Sequence, residues 1–161
     1  MEKATFGAGC FWGVEHFFRE VPGVSAAVSG YSGGHLERPT YRQVCSGATN
    51  HAEVVEVTFD PAKVDYGTLV DLFFKMHDPT TMNRQGPDVG TQYRSAIFTH
   101  SPEQERVAKE RLEAAKARFK RPIVTVIEPA QTFWPAEDYH QRYFEKNGGS
   151  CHVSYAEVAN Q

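Results

Sequence analysis

Cys10 lies in Gly7-Ala8-Gly9-Cys10-Phe11-Trp12-Gly13, where a short extended segment gives way to a helical pattern, so its thiol stands at a helix start. Unpaired backbone N–H groups and the helix dipole favour an anion there, and a thiolate is one. A thiol of pKa ~8.5 is about 3% ionised at pH 7 and one of pKa ~7 is half ionised, a roughly fifteen-fold gain in nucleophile. Gly7, Gly9 and Gly13 leave room for another molecule to come close. Two roles stand open for the neighbours Phe11 and Trp12: walls of an apolar pocket, or ordinary core residues. For Cys10 itself the alternative is an inert packing thiol.

Glu53 begins the run Glu53-Val54-Val55-Glu56-Val57-Thr58-Phe59. Alternation along a strand puts it in phase with Val55, Val57 and Phe59, on the apolar side. Burial raises a carboxyl pKa, and a value of ~6.5 in place of ~4.3 leaves about a quarter of the groups protonated at pH 7, a usable general acid. The alternative is a surface glutamate at a strand end where a bulge breaks the phase. His51-Ala52-Glu53 has the H-x-E spacing of a zinc deaminase, but the matching P-C-x-x-C is absent and the other histidines lack metal-ligand spacing. No metal is expected. Tyr41 and Tyr93 end two polar loops and Asp88 lies in the second; each is either a turn residue or a polar group of a site. Cys45, in Val44-Cys45-Ser46, is expected to be a buried structural thiol. Cys151 follows Gly148-Gly149-Ser150, and a mobile thiol there fits a resolving cysteine, the alternative being a free surface thiol.

The elements that must position these groups alternate along the chain. Hydrophobic periodicity predicts strands over 3–7, 24–31, 53–59, 94–99 and 123–128, and helices from Phe11 to Pro22, over 66–76, from Ser101 through Phe119 and over 135–146. Ser101-Pro102-Glu103-Gln104 supplies an N-cap, a first-turn proline and a capping-box glutamine. The third helix is expected to bury Ala108, Leu112, Ala115 and Phe119. Residues 32–48 read as one loop, and 77–93 as a long polar stretch of the kind that is functional in compact domains. Asn147-Gly148-Gly149 stops the last helix before an irregular tail. This order predicts one α+β domain over 1–161, helices packed on a mainly antiparallel sheet, with 147–161 a mobile tail.

With 40% hydrophobic and 23% charged residues and a net charge of −3, the composition is that of a globular protein. Its basic residues are mixed with acids along the third helix, which argues against a nucleic-acid surface. No apolar run has the length of a membrane span, and the sequence opens without a signal-peptide pattern, so a cytoplasmic location is expected, and the size of the chain suggests a monomer. Three cysteines with no C-x-x-C pair argue against a static disulfide framework.

Taken together, Gly9-Cys10-Phe11-Trp12-Gly13, Gly30-Tyr31-Ser32-Gly33-Gly34, Tyr41-Arg42-Gln43-Val44-Cys45-Ser46-Gly47, His51-Ala52-Glu53, His77-Asp78-Pro79 and Asp88-Val89-Gly90-Thr91-Gln92-Tyr93-Arg94-Ser95 resemble the peptide methionine sulfoxide reductase A family, block by block in its order. The resemblance implies a ferredoxin-like sandwich and reduction of the S epimer of methionine sulfoxide, free or in oxidised proteins. It implies Cys10 as nucleophile, Glu53 as the acid that protonates the sulfoxide oxygen, and Tyr41 and Tyr93 as hydrogen-bond donors to that oxygen. Phe11 and Trp12 match its methyl pocket and Asp88 a polar pocket residue. Cys151 matches a C-terminal resolving cysteine, whose disulfide with Cys10 would be reduced by thioredoxin; no metal or organic cofactor is implied. Asn50 and Ser32 depart from the family's usual glycine and alanine. Two other classes remain: a cysteine hydrolase in which His16, His51 or His140 activates Cys10, and a non-catalytic redox-sensing or binding domain.

Overall fold

The computed structural model describes residues 1–143 together with Lys146, Tyr155 and Val158. Strands β1 (Glu2–Ala8), β2 (Val24–Ser32) and β3 (Ala52–Phe59) alternate with helices α1 (Phe11–Arg19), α2 (Tyr41–Cys45) and α3 (Tyr66–Met76). A two-residue hairpin, β4 (Arg84–Gln85) with β5 (Asp88–Val89), and a 3-10 turn at Thr91–Tyr93 precede β6 (Ser95–Thr99), α4 (Pro102–Ala115), β7 (Val126–Pro129) and β8 (Trp134–Pro135). Among the described residues the main sheet has the order β7-β6-β1-β3-β2-β8. Its pairs are antiparallel except β6 with β7, which is parallel. The α+β class with a mixed, mainly antiparallel sheet is therefore as expected. No helix among the described residues is long and apolar enough to cross a membrane.

The pleat sorts side chains onto two faces. Ala4, Phe6 and Ala8 of β1, Val55, Val57 and Phe59 of β3 and Ile97 of β6 face the helices and join Phe11, Val14, Phe17 and Phe18 of α1 and Leu69, Val70, Phe73 and Phe74 of α3. Phe6 anchors this core, with ring centroids 5.0 Å from Phe18 and 5.3 Å from Phe73. The opposite face carries Ala52, Val54, Ala96 and Phe98 under Val126, Ala130 and Phe133. Fully burying a side chain such as Phe73 contributes about 2–3 kcal/mol, so the helical layer is fixed chiefly by these aromatics.

Some elements differ from the sequence-based expectation. The 32–48 loop contains α2, closed by a capping box in which Thr40 Oγ1 accepts from Gln43 N and Gln43 Oε1 accepts from Thr40 N. In α4, Ser101 Oγ accepts from Gln104 N at 3.1 Å, but Gln104 Oε1 takes the N–H of His100, at 3.0 Å, and not that of the cap. Gln104 Nε2 then donates to Lys3 O at 2.8 Å, tying the helix start to β1. Ala108 and Ala115 are buried, whereas Leu112 is only half-buried, as is Phe119, because α4 ends in a 3-10 turn at Lys116–Arg118 that leaves Phe119 extended. The last expected strand shortens to β7. No helix runs from Pro135: the segment pairs briefly with β2, turns at Asp138–His140 and passes through Arg142 at φ +53°. The Asn147–Gly149 stop and most of the 147–161 tail lie outside the described residues; Val158 packs on the core.

Candidate active site

Cys10 is the N-cap of α1, half-buried, and its carbonyl accepts from Val14 N at 3.4 Å. The chain reaches it from β1 through Gly9 at φ +95°, a backbone conformation that glycine takes without strain. The first turn of α1 carries no acidic residue, so nothing in it opposes a negative charge on the thiol.

Glu53 is 1% exposed, on the same sheet face as Val55, Val57 and Phe59, and the β2–β3 register is regular here, with Tyr31 directly opposite Glu53. Its Oε1 accepts from Phe11 N at 3.2 Å, which holds the carboxyl group beside the peptide that follows Cys10. Its Oε2 has no hydrogen-bond partner among the described residues. Burial lifts its pKa from 4.5 to about 8; the Phe11 N–H works against this and the charge of Asp88 adds to it.

Tyr41 opens α2 and Tyr93 ends the 3-10 turn, both half-buried. Arg94 pins that turn by donating to Thr91 O at 2.9 Å and to Asn50 O at 3.1 Å, just ahead of β3. Burial, reinforced by the charge of Glu53, keeps both phenols protonated well above the ordinary tyrosine range, so both remain donors. Cys45, Asp88 and Cys10 also act on Tyr93 electrostatically, which places these groups around one region. Asp88 starts β5, and Gly90 N donates to Asn83 O at 2.9 Å to close the hairpin.

Phe11 is fully buried, and its ring leans on Tyr31 (5.6 Å between centroids), Tyr41 (6.1 Å) and His140 (5.3 Å). Trp12 is half-buried, stacks on Tyr143 at 3.8 Å and donates its indole N–H to His140 Nδ1 at 2.8 Å. Accepting at Nδ1 leaves the His140 proton on Nε2, a neutral ring; burial lowers its pKa, against the pull of Glu137.

Sequence reasoning missed the strap around Glu137. Tyr31 Oη donates to Glu137 Oε1 at 3.0 Å, and Tyr41 N donates to Oε2 at 3.1 Å. The helical pattern drawn through 135–146 hid it; the one available signal was the Tyr31 motif itself. Cys45 corrects another expectation: it is exposed and Val44 is buried, because α2 turns Val44 inward. Cys151 lies outside the described residues.

The histidines invoked for a hydrolase are otherwise engaged. His51 accepts from Gly34 N at Nδ1 (3.0 Å) and pairs through Nε2 with Leu36 O (2.7 Å). His16 faces Glu20 at 3.7 Å from the far turn of α1. Among the described residues no group of three or more His, Cys, Asp or Glu converges on a metal position.

The chain has relatives over nearly its whole length. The peptide methionine sulfoxide reductase family matches residues 2–161. The chain is 62% identical over 152 residues to the peptide methionine sulfoxide reductase MsrA of Methanoculleus marisnigri, covering 92% of each. It is similar to the reduced form of Mxr1 from Saccharomyces cerevisiae, with a TM-score of 0.89, 39% identity and coverage of 93% of this chain and 87% of that one. It also resembles Mxr1 in complex with Trx2, with a TM-score of 0.66, 27% identity and coverage of 95% and 88%. A helix-start cysteine beside a buried acid, on a fold shared with these relatives, has one consistent assignment: the chain belongs to the peptide methionine sulfoxide reductase family.

Proposed function

We propose that the protein reduces the S epimer of methionine sulfoxide, free or in oxidised proteins, with Cys10 as nucleophile and Glu53 as general acid. The observation that carries this is the Glu53 carboxyl group: 1% exposed, bonded to Phe11 N, and with one oxygen unpartnered among the described residues. With a pKa of about 8 it is about nine-tenths protonated at pH 7. A sulfoxide oxygen leaves poorly until protonated, so the reaction needs a neutral acid and a thiolate side by side. The hydroxyls of Tyr41 and Tyr93 donate to the same oxygen as its charge develops. Phe11 and Trp12 form the apolar wall for the methyl group, and Asp88 orders the polar side and helps to hold the Glu53 proton.

Cys10 sulfur attacks the sulfoxide sulfur, Glu53 supplies the proton, and the oxygen passes to Cys10. The substrate sulfur gains two electrons, Cys10 loses two, and the products are methionine and a sulfenic acid. The Cys151 thiol then displaces water to form the Cys10–Cys151 disulfide, which thioredoxin reduces by exchange. The epimer and the Cys151 role follow from the resemblance of the sequence blocks, and the reductant is supported by the structure of Mxr1 with Trx2. The size of the chain suits a monomer, and the 147–161 tail of this single catalytic unit carries the resolving thiol. A thiol cycle of this kind suits the reducing cytoplasm.

The test is steady-state turnover with thioredoxin, thioredoxin reductase and NADPH on separated epimers. Reduction of the S epimer alone is expected, with activity abolished by Cys10→Ser and turnover lost in Cys151→Ser. Activity in Cys10→Ser overturns the assignment of the nucleophile.

A further inference from the structure

Glu137 belongs to none of the roles above, yet its carboxylate joins two elements that the site depends on. Oε1 accepts from the hydroxyl of Tyr31, which stands opposite Glu53 in the β2–β3 register. Oε2 accepts from the backbone N–H of Tyr41 and, at 3.3 Å, from the hydroxyl of Tyr139. A continuous path therefore runs from the acid, across one strand pair, through Tyr31 and Glu137 to the first residue of α2. His140, in the same strap, lies 4.3 Å from the Tyr41 ring between centroids, so backbone and ring of Tyr41 are both held from this segment. Burial alone would raise the pKa of Glu137, but its own backbone N–H, the N–H of Tyr41 and the Tyr31 hydroxyl, in that order, lower it and keep the carboxylate charged.

We propose that Glu137 is a positioning residue, which sets the Tyr41 hydroxyl relative to Glu53 by bridging the Tyr31 hydroxyl and the Tyr41 N–H. The bridge rests on the reductase reading above and adds to it a residue to which that reading gives no chemical step. Without it α2, only five residues long, has no side-chain anchor at the N–H of Tyr41. A donor displaced by a fraction of an ångström loses its selective hold on the transition state, while ground-state binding changes little.

The experiment measures the single-turnover rate of methionine formation from the S epimer, with no reductant, in Glu137→Ala, Glu137→Gln, Tyr41→Phe and the double variant Glu137→Ala/Tyr41→Phe. Glu137→Ala is expected to slow the step by about tenfold, the effect of losing a hydrogen bond to a charged group, with the substrate concentration at half-rate little changed. Glu137→Gln, whose amide oxygen still reaches Tyr41 N–H and whose NH2 can donate to Tyr31 Oη, recovers most of that loss. In the Tyr41→Phe background the Glu137→Ala substitution costs less than about twofold, because the hydroxyl it positions is gone. The same factor of about ten in both backgrounds overturns the proposal, as does a loss seen only in the half-rate concentration. Glu137→Asp, charged but too short to span both donors, serves in the same cycle if the alanine variant does not fold. Absence of methionine formation in the unsubstituted protein defeats the reductase reading itself, an outcome distinct from either of these.

Discussion

Replacing Glu53 by glutamine is expected to make the protein more stable at alkaline pH while disabling it. The folded state keeps the Glu53 proton up to about pH 8, whereas an ordinary glutamate gives it up near 4.5. Between those values the native state binds a proton that the unfolded state does not, so stability falls as pH rises. At about 1.4 kcal/mol for each pH unit, the accumulated cost above pH 8 is about 5 kcal/mol, a large fraction of a domain's total stability. Solvent does not discount it, since the side chain is 1% exposed. Glutamine has no proton to lose, and its amide oxygen still accepts from Phe11 N. Denaturant unfolding of both proteins from pH 4 to pH 9, followed by tryptophan fluorescence, measures the difference. The curves should coincide at pH 4 and separate steadily, with Glu53→Gln more stable by several kcal/mol at pH 9. A difference under about 1 kcal/mol at pH 9 refutes the claim that this carboxyl group is held neutral by burial.

The pH dependence of the reaction follows from the same group: the single-turnover rate should be half-maximal near pH 8 on the alkaline side and about a tenth of its maximum one unit above, measured by rapid quench. Phe73→Ala should lower stability by about 3–5 kcal/mol in denaturant unfolding, because the ring is fully buried between Phe6 and Phe74. Gly34→Ala should lower it by about 1–3 kcal/mol, since a β-carbon there would sit 2.3 Å from Thr49 O and 2.5 Å from His51 N, and backbone on both sides must give.

Local patterns were legible where one element decided the outcome. The alternation from Glu53 to Phe59 places the acid on the inner face because β3 pairs in regular register with β2 from Ala52 to Thr58 and with β1 from Val55 to Phe59, and the apolar stripe of Tyr66–Met76 marks a helix. Ser101 was recognisable as a cap, but the second bond of Gln104 depends on β1, which no local pattern reports. The Thr40–Gln43 capping box is present in the sequence, but the helix that follows it has only five residues, too few to show a period. Residues 135–146 carry apolar spacing that suits a helix, yet over 135–142 pairing of Trp134 and Pro135 with β2 and the bonds of Glu137 and Gln141 to distant partners override it, and among the described residues of this stretch helix is found only at Tyr143 and Lys146. The site was legible in its reactive groups and not in its supports: Arg94, Glu137 and His140 act through contacts made across the sheet, and a single sequence carries no period for those.

The most direct measurement is the stoichiometry of methionine released when the reduced protein meets the S epimer with no reductant present. The account predicts a burst of about one methionine per chain, absent in Cys10→Ser and slowed strongly in Glu53→Gln, with a sulfenic acid trapped on Cys10 in the Cys151→Ser variant. No burst, or one that survives the loss of Cys10, contradicts it.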